Sequence, residues 1–330
     1  MADLYARLKK AGLKRKFVRE CLLPEWWEDA LGEVPANIRL IELTIAQVLG
    51  LNAQVTTTPK ESIHIAPRTP YRLKQARKDT PHDAVALRVA LAERAALTVK
   101  AHLHDLPRFE PCKDYSDARS DILADNEYVN LSSLVRFCWS SGIVVLHVNY
   151  GAGVESRNFH GVTFYPERNP IIVLASGRDS PPWLAFYLAH ELGHLSCRHL
   201  SEGGESLVDA QISVTEGTEK EEREAHSFAM RLLTGREEWG FKLARLPARR
   251  LAEAALVYGE ENNIDPGTCV LIYGYSCNKW PVAQQALKIL REDAGAQSII
   301  KSSLLTHLRT DELSEGAERF LNCVLTEGDD

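Results

Sequence analysis

The stretch His190-Glu191-Leu192-Gly193-His194 guides the interpretation of the whole chain. An α-helix turns about 100° per residue, so side chains four positions apart lie nearly one above the other. The two histidines can therefore hold one metal ion between them. The glutamate points to the side of that ion, where its carboxylate can take a proton from a water molecule. The motif predicts two metal-binding imidazoles and a general base on one helix.

The residues around this motif predict a buried helix. Ser180 fits the N-cap, Pro181 fits the first helical position, and Gly203-Gly204 can end the segment. Apolar residues surround most of the helix rather than forming one stripe, namely Trp183, Leu184, Phe186, Tyr187, Leu188 and Leu192. Two histidines and a glutamate on such a helix need partners, because unpaired buried polar groups are costly. The alternative is a chance occurrence of the pattern on an ordinary core helix.

Catalytic zinc normally takes three protein ligands and leaves its fourth position to water. The metzincin pattern would place a third histidine six residues after His194, but that position is Leu200. His199 lies one residue out of step. We therefore interpret His199 as a residue that supports a ligand or faces solvent.

A second predicted helix supplies better candidates for the third ligand. Thr218 and Glu221 form a capping box, which predicts a helix start. Its apolar face comprises Ala225, Phe228, Ala229, Leu232 and Leu233. Glu221 and Glu222 flank this face about equally, so periodicity does not choose between them. The cap argument favours Glu222, because Glu221 folds back to the Thr218 backbone. Glu219 and Glu224 project away from the face and are interpreted as solvated.

These segments together resemble the ImmA/IrrE metallopeptidases, the domain of unknown function 955 family. The resemblance rests on residues 188–195, 222–229 and 232–233, and it covers roughly residues 120–235. It implies that Glu222 is the third zinc ligand. His226 stands where the family usually has Asn or Asp, so it is expected either to hydrogen-bond to a ligand or to compete as one.

Three apolar segments precede the motif helix and read as strands, over residues 142–148, 161–165 and 170–174. The family likewise places a small sheet ahead of its HExxH helix. The predicted fold class is therefore α+β. We expect a small mixed or antiparallel sheet packed on a zincin-like HExxH helix, flanked by N-terminal and C-terminal helical regions.

The composition, with 45% hydrophobic and 25% charged residues, is ordinary for a globular protein. No apolar run of about 18 residues can span a bilayer, and the first residues lack a signal-peptide pattern. We expect a cytoplasmic protein with no membrane partner. The seven cysteines occur without CxxC pairs, which favours reduced thiols over disulfides or a cysteine zinc site.

The first part of the chain is basic. Residues 1–120 hold 20 Lys/Arg against 15 Asp/Glu, whereas the remainder holds 19 against 30. A helical pattern over residues 38–51 carries spacing typical of a helix-turn-helix, but the following segment 53–59 is short, β-branched and stopped by proline. DNA binding through residues 1–120 is one interpretation; a helical region whose cations are solvated or dock a protein is the other. Trp26 and Trp27 are interpreted as packing residues.

We predict three parts of the chain. Residues 1–110 form a helical, weakly helix-turn-helix-like domain with a basic connector, residues 111–235 the zincin-like metallopeptidase core, and residues 236–330 a C-terminal helical region. Within the core, residues 201–217 read as a polar loop between the two zinc helices. In the C-terminal region, Asp265 before Pro266 marks an N-cap, and residues 281–291, 298–308 and 313–325 look amphipathic.

The motif and the resemblance imply a zinc endopeptidase, with His190, His194 and Glu222 as ligands and Glu191 as the catalytic base. The family implies a cytosolic regulatory protein as substrate, such as a transcriptional repressor. The alternatives are a DNA-binding regulator or toxin–antitoxin component in which the metal senses or stabilises, and a metallohydrolase that acts on a non-peptide bond. Glu191 argues against a sensing or structural site, which needs no base. Manganese or iron can also occupy such a ligand set.

Overall fold

The computed structural model describes residues 1–58, 62–74, 83–112, 114–156, 159–209, 220–236, 240–241 and 245–325. Five strands form one sheet: β1 (Tyr71–Lys74), β2 (Val144–His147), β3 (Gly161–Glu167), β4 (Asn169–Leu174) and β5 (Ser206–Asp209).

The helices are α1 (Ala2–Lys10), α2 (Arg15–Phe17), α3 (Pro35–Leu49), α4 (Ala53–Thr57), α5 (Asp83–Ala101), α6 (Tyr115–Ala124), α7 (Leu131–Ser140), α8 (Pro181–Ser196), α9 (Lys220–Thr234), α10 (Ala248–Asn262), α11 (Pro266–Ser276), α12 (Trp280–Leu290), α13 (Ala296–Leu305) and α14 (Glu315–Val324). A π-helical turn (Val18–Leu22) and short 3-10 turns (Asp29–Glu33, Gly151–Gly153, Thr310–Glu312) connect some of them. The predicted mixed α+β class is confirmed.

The sheet has the order β1-β5-β3-β4-β2. β3 runs antiparallel to β4 and β5, whereas β1 is parallel to β5 and β2 is parallel to β4. The three predicted strands are confirmed as β2, β3 and β4. One row of paired residues crosses the whole sheet, from Lys74 through Asp209, Gly161 and Leu174 to His147. Side chains of directly paired residues lie on the same face, so this row carries polar groups to one side of the sheet.

Two strands were not expected. β5 lies within residues 201–217, which the sequence predicted as a polar loop, so that prediction is wrong for Ser206–Asp209. The strand forms because Leu207 and Val208 are fully buried and pair with β3 and β1. Residues 210–217 lie outside the described residues. β1 comes from the predicted N-terminal domain but joins the sheet of the predicted core.

Helix α8 carries the HExxH motif and contacts β3 and β4. Ser180 is its N-cap residue and Pro181 begins it, as predicted. The expected end at Gly203-Gly204 is wrong, because the helix stops at Ser196. Arg198 adopts a left-handed conformation with φ 59°, and the His199 N–H bonds back to the His194 carbonyl oxygen at 2.9 Å, which closes the helix earlier.

The N-terminal region is helical, but its second candidate DNA-binding helix is short. α4 spans five residues, with the Asn52 side chain as its cap. Thr56 and Thr57 are buried, and their carbonyl oxygens accept hydrogen bonds from Arg7 and Arg39. A helix this short and this firmly packed leaves little surface for a DNA groove.

The predicted C-terminal helices are confirmed as α12, α13 and α14, and Asp265 caps α11 through the Thr268 N–H at 2.7 Å. Cys21 and Cys323 form a disulfide between the π-helical turn and α14. The expectation of unpaired thiols is therefore wrong for this pair, since the fold brings together two cysteines far apart in sequence. Among the helices of the described ranges, none combines the length and apolarity needed to cross a bilayer.

Candidate metal centre

Four side chains converge between α8, α9 and β5. His190 and His194 come from α8, Glu222 from the first turn of α9, and Asp209 from the end of β5. Each offers one ligand atom, and the four atoms lie within 4.8 Å of one another. The structure thus brings three of the residues singled out from the sequence together with Asp209, which sequence reasoning missed.

The ligand atoms are separated by distances that suit one small cation. The Nε2 atoms of His190 and His194 lie 3.2 Å apart, and Glu222 oxygens lie 3.4 and 3.5 Å from them. Asp209 Oδ2 lies 3.6 Å from each Nε2 atom. A tetrahedral site with metal–ligand bonds of about 2.0–2.1 Å has ligand atoms about 3.3 Å apart. The separations that involve the two histidines, 3.2–3.6 Å, are close to this value, so both histidines and either carboxylate can bind one ion.

The hydrogen bonding of the cluster also fits a cation. Asp209 Oδ2 and Glu222 Oε1 are buried, and neither has a hydrogen-bond partner among the described residues. Buried acceptors without a donor are costly, and a positive ion at their centre satisfies both. Two imidazole nitrogens and carboxylate oxygens form a donor set that suits zinc and related divalent metals.

Close approach of α9 to α8 brings Glu222 to the histidines. A Cβ atom at Gly193 would lie only 2.8–2.9 Å from the backbone of Ala225, so any larger residue would push the helices apart. Ala225 is itself small and fully buried. The glycine of the motif and the alanine of α9 therefore set the distance across which Glu222 reaches the cluster.

Glu221 and Glu222 are adjacent but have different surroundings. Glu221 makes an ion pair with Lys74 at 2.7 Å and a second with Arg72 at 3.3 Å, both from β1. These cations hold the pKa of Glu221 below its usual value, against the effect of burial. Sequence periodicity left the two glutamates equivalent, whereas the structure turns Glu222 to the cluster and Glu221 to β1. Thr218, the expected cap partner of Glu221, and Glu219 lie outside the described residues.

Glu191 is fully buried next to the cluster. Its Oε2 accepts a hydrogen bond of 2.6 Å from Thr163 Oγ1 on β3. A Cβ atom at Gly161 would lie 2.1 Å from Oε1, so this glycine leaves space for the carboxylate. Burial raises the pKa of Glu191 to about 7, although hydrogen bonds from Thr163 and Asp209 oppose the shift. A carboxyl group with such a pKa can accept and return a proton near neutral pH.

A chain of hydrogen bonds orients His194. Its Nδ1 lies 2.8 Å from His199 Nδ1, and His199 Nε2 lies 3.0 Å from Glu224 Oε2. If His194 Nδ1 donates, its Nε2 keeps a lone pair for a metal, and His199 donates onward to the carboxylate. Burial lowers the pKa of His194 well below its usual value, which keeps the imidazole neutral. His199 thus contacts a predicted ligand, and Glu224 is not simply solvated as the sequence suggested.

His226 lies close to the cluster but is not one of its four members. The side chain is buried one helical turn after Glu222, with its ring edge-on to Phe186 at 5.7 Å. Phe186 in turn lies 6.4 Å from the His190 ring. Burial lowers the pKa of His226 to about 4, so the ring is neutral at physiological pH.

The site has the features of a metal-dependent hydrolase: a convergent set of metal-binding atoms with a buried carboxylate beside it. Residues 140–240, about a third of the chain, match the family model described as the IrrE N-terminal-like domain, Peptidase_M78. The match includes β2 to β5, α8 and α9, and it confirms the resemblance to ImmA/IrrE-type proteins that the motifs predicted. It assigns a metallopeptidase-type function to this part of the chain. No curated protein matches the chain.

Proposed function

We propose that the chain is a zinc-dependent endopeptidase that hydrolyses a peptide bond in a cytosolic regulatory protein, such as a transcriptional repressor. The observation that carries this proposal is the convergence of His190, His194 and Glu222 next to the buried carboxylate of Glu191. A structural metal site needs no base beside it, whereas hydrolysis does.

In the proposed mechanism His190, His194 and Glu222 hold the metal on a zincin-like, gluzincin-type scaffold. A zinc ion bound there supplies Lewis-acid polarisation and makes water acidic enough to react near neutral pH. Glu191 accepts the proton of the attacking water and returns it to the leaving amine. Thr163 fixes Oε2 of Glu191 at 2.6 Å, so Oε1, which has no hydrogen-bond partner among the described residues, is the oxygen we assign to proton transfer.

The family match supports a protein substrate, and the sheet supports a mode of binding for it. Peptidases acting beside a sheet commonly bind an extended substrate segment as an additional strand. Of the strands in the described ranges, β1 is outermost on the side of the cluster. We propose that the substrate segment lies in an extended conformation along this side of the sheet, next to β1.

Two adjacent glutamates provide a matched test of the metal site. Glu222→Gln is expected to lower the zinc content of the purified chain to a small fraction of wild type, because an amide is a weaker ligand than a carboxylate. Glu221→Gln makes the same chemical change one residue away and is expected to retain the metal. Elemental analysis after dialysis measures both. Equal zinc contents in the two variants would contradict the assignment of Glu222 and favour Glu221 or His226.

The peptidase activity itself is tested by incubating the zinc-loaded chain with purified transcriptional repressors of the same organism. Wild type is expected to produce two discrete fragments. Glu191→Gln is expected to keep the zinc and to lower the cleavage rate by roughly 10²- to 10⁴-fold, the usual contribution of a general base. Cleavage by this variant at the wild-type rate would mean that Glu191 is not the base.

A further inference from the structure

We infer that Asp209 is a fourth metal ligand and that the fold described here is a latent form of the enzyme, in which Asp209 occupies the position that water needs. This inference rests on the proposed metallopeptidase function and adds a regulatory state to it. The Asp209 carboxylate belongs to the cluster by distance, since its Oδ2 lies 3.6 Å from both histidine Nε2 atoms.

The number of protein ligands distinguishes a working site from a closed one. Catalytic zinc sites use three protein ligands and keep one position open, whereas sites with four protein ligands are closed. His190, His194 and Glu222 already provide three. Asp209 provides the fourth, with its Oδ2 atom 3.6 Å from both histidine Nε2 atoms. With all four bound, water has no coordination position in which to be activated.

The backbone holds Asp209 in place. Asp209 is the last residue of β5, paired with Gly161 on one side and with Lys74 on the other. Its carbonyl oxygen accepts a hydrogen bond of 2.9 Å from the His160 N–H. Since directly paired side chains share a face of the sheet, this pairing points the carboxylate of Asp209 towards Glu191 and the histidines. The backbone of β5 therefore holds Asp209 on the face of the sheet that carries the cluster.

Asp209 also lies next to the proposed base. It pairs with Gly161, and a Cβ atom at Gly161 would lie 2.1 Å from Glu191 Oε1. The Asp209 side chain therefore lies beside both parts of the hydrolytic machinery, the metal position and the base.

Contacts between β1 and α9 hold this closed arrangement from outside. Lys74 is buried opposite Asp209 and pairs with Glu221, the neighbour of the ligand Glu222. Arg72 bonds the His199 carbonyl oxygen at 2.6 Å and lies 3.5 Å from Glu205, just before β5. Displacement of β1 would remove the strand that flanks Asp209. We therefore infer that movement of β1 away from β5 is the event that releases Asp209 from the metal site.

The test uses the full-length chain loaded with Co²⁺, whose visible absorption reports its ligands, and acetohydroxamate, which binds a metal only where protein ligands leave room. Wild-type protein is expected to keep its spectrum at acetohydroxamate concentrations that saturate the variants. Asp209→Ala and Asp209→Asn are expected to bind acetohydroxamate with a clear spectral change. Their Co²⁺ affinity should fall by more than about tenfold, since even residues that only support ligands contribute roughly 10- to 100-fold.

Asp209→Asn controls for misfolding of Asp209→Ala, because it keeps the size of the side chain and removes only the charged ligand. Asp311→Asn is the matched control: it makes the same chemical change at an exposed aspartate that is not part of the cluster, so wild-type behaviour is expected. If wild-type protein binds acetohydroxamate as readily as the Asp209 variants, Asp209 does not close the site and the inference is overturned, while the metal site stands. If the wild-type chain takes up no Co²⁺, the proposed function itself fails.

Discussion

The HExxH region and the basic N-terminal region differ in how their polar residues are used. In the HExxH region, buried histidines and carboxylates converge on one point. Asp209 Oδ2 and Glu222 Oε1 accept no hydrogen bond from the residues that the structure describes. In the N-terminal region, many cations are paired within the protein. Arg88 donates to the carbonyl oxygens of Gly151, Val154 and Ser156, and Arg94 to those of Gln47 and Val48.

This difference shows which sequence signals carry functional information. A fixed spacing such as His-x-x-x-His specifies a geometry, because side chains four residues apart lie on the same face of an α-helix. An excess of Lys and Arg specifies no geometry, and part of it stabilises the fold through internal contacts. The net charge of +5 over residues 1–120 therefore overstates the cationic surface available to DNA.

The largest expected effect is the loss of the metal from the cluster. His194→Ala removes a predicted ligand, so we expect the affinity for zinc to fall by more than about 100-fold, beyond the effect of removing a supporting residue. Competition with a coloured chelator measures this. His64→Ala, which removes an exposed imidazole of the N-terminal region, should leave the affinity unchanged. If both variants lost the same amount of zinc affinity, His194 would not be a specific metal ligand, and the HExxH region would not differ from the N-terminal region in this respect.

The pH dependence of stability tests the buried carboxyl of Glu191. Burial raises its pKa from 4.5 to about 7 in the folded chain. The folded state therefore binds this proton more tightly than the unfolded state. The associated stability of the metal-free protein is fully present below about pH 4.5 and is lost as the pH rises through 7.

Urea unfolding of metal-free wild type and Glu191→Gln at pH 5 and pH 8 isolates this contribution. From pH 5 to pH 8, the free energy of unfolding of wild type should fall more than that of Glu191→Gln. A difference that is independent of pH would mean that the carboxyl is not buried as described. Zinc should stabilise wild type more strongly at pH 8, because the metal binds deprotonated ligands.

A smaller effect is expected from the hydrogen bonds that orient His194. His199→Phe keeps a ring but removes the contact to His194 Nδ1, so zinc affinity should fall by roughly 10- to 100-fold. Glu224→Gln should have a weaker effect, because its amide oxygen can still accept from His199. The same chelator competition compares them, and a wild-type affinity for His199→Phe would exclude an orienting role.

The smallest effect is expected in the basic region. Lys9, Lys10, Lys14 and Lys16 are exposed. Reversing their charge to Glu should change the free energy of unfolding by less than about 0.5 kcal/mol per site and leave the zinc content unchanged. DNA retention at physiological salt should be equally weak for both proteins. Salt-sensitive retention by wild type alone would favour the alternative of a DNA-binding regulator.

Local patterns predicted much of the fold. The start of α8, strands β2 to β4 and helices α12 to α14 follow from periodicity and capping residues close together in sequence. The end of α8 was missed because Arg198, not a glycine, adopts the left-handed conformation. The Cys21–Cys323 disulfide was missed because nothing in the sequence relates the two positions.

In the candidate site too, local sequence patterns predicted only part of the arrangement. His190, Glu191 and His194 were found because one helix holds them, and Glu222 was preferred through a cap argument and the family resemblance. Asp209 was missed, since the four-residue strand that carries it has only Leu207 and Val208 as an apolar signal. Strand pairing brings Asp209 to the histidines, and single-sequence periodicity contains no information on which strands pair.

The pairing of β1 with β5 also bears on the order in which the chain folds. Tyr71 pairs with Ser206, so β1 is synthesised long before its partner exists. Parallel pairing between such distant segments closes a large loop and forms slowly. During synthesis the HExxH helix can therefore form before the strand that flanks Asp209 has docked. Docking of β1 therefore waits until β5, which carries Asp209, has been synthesised.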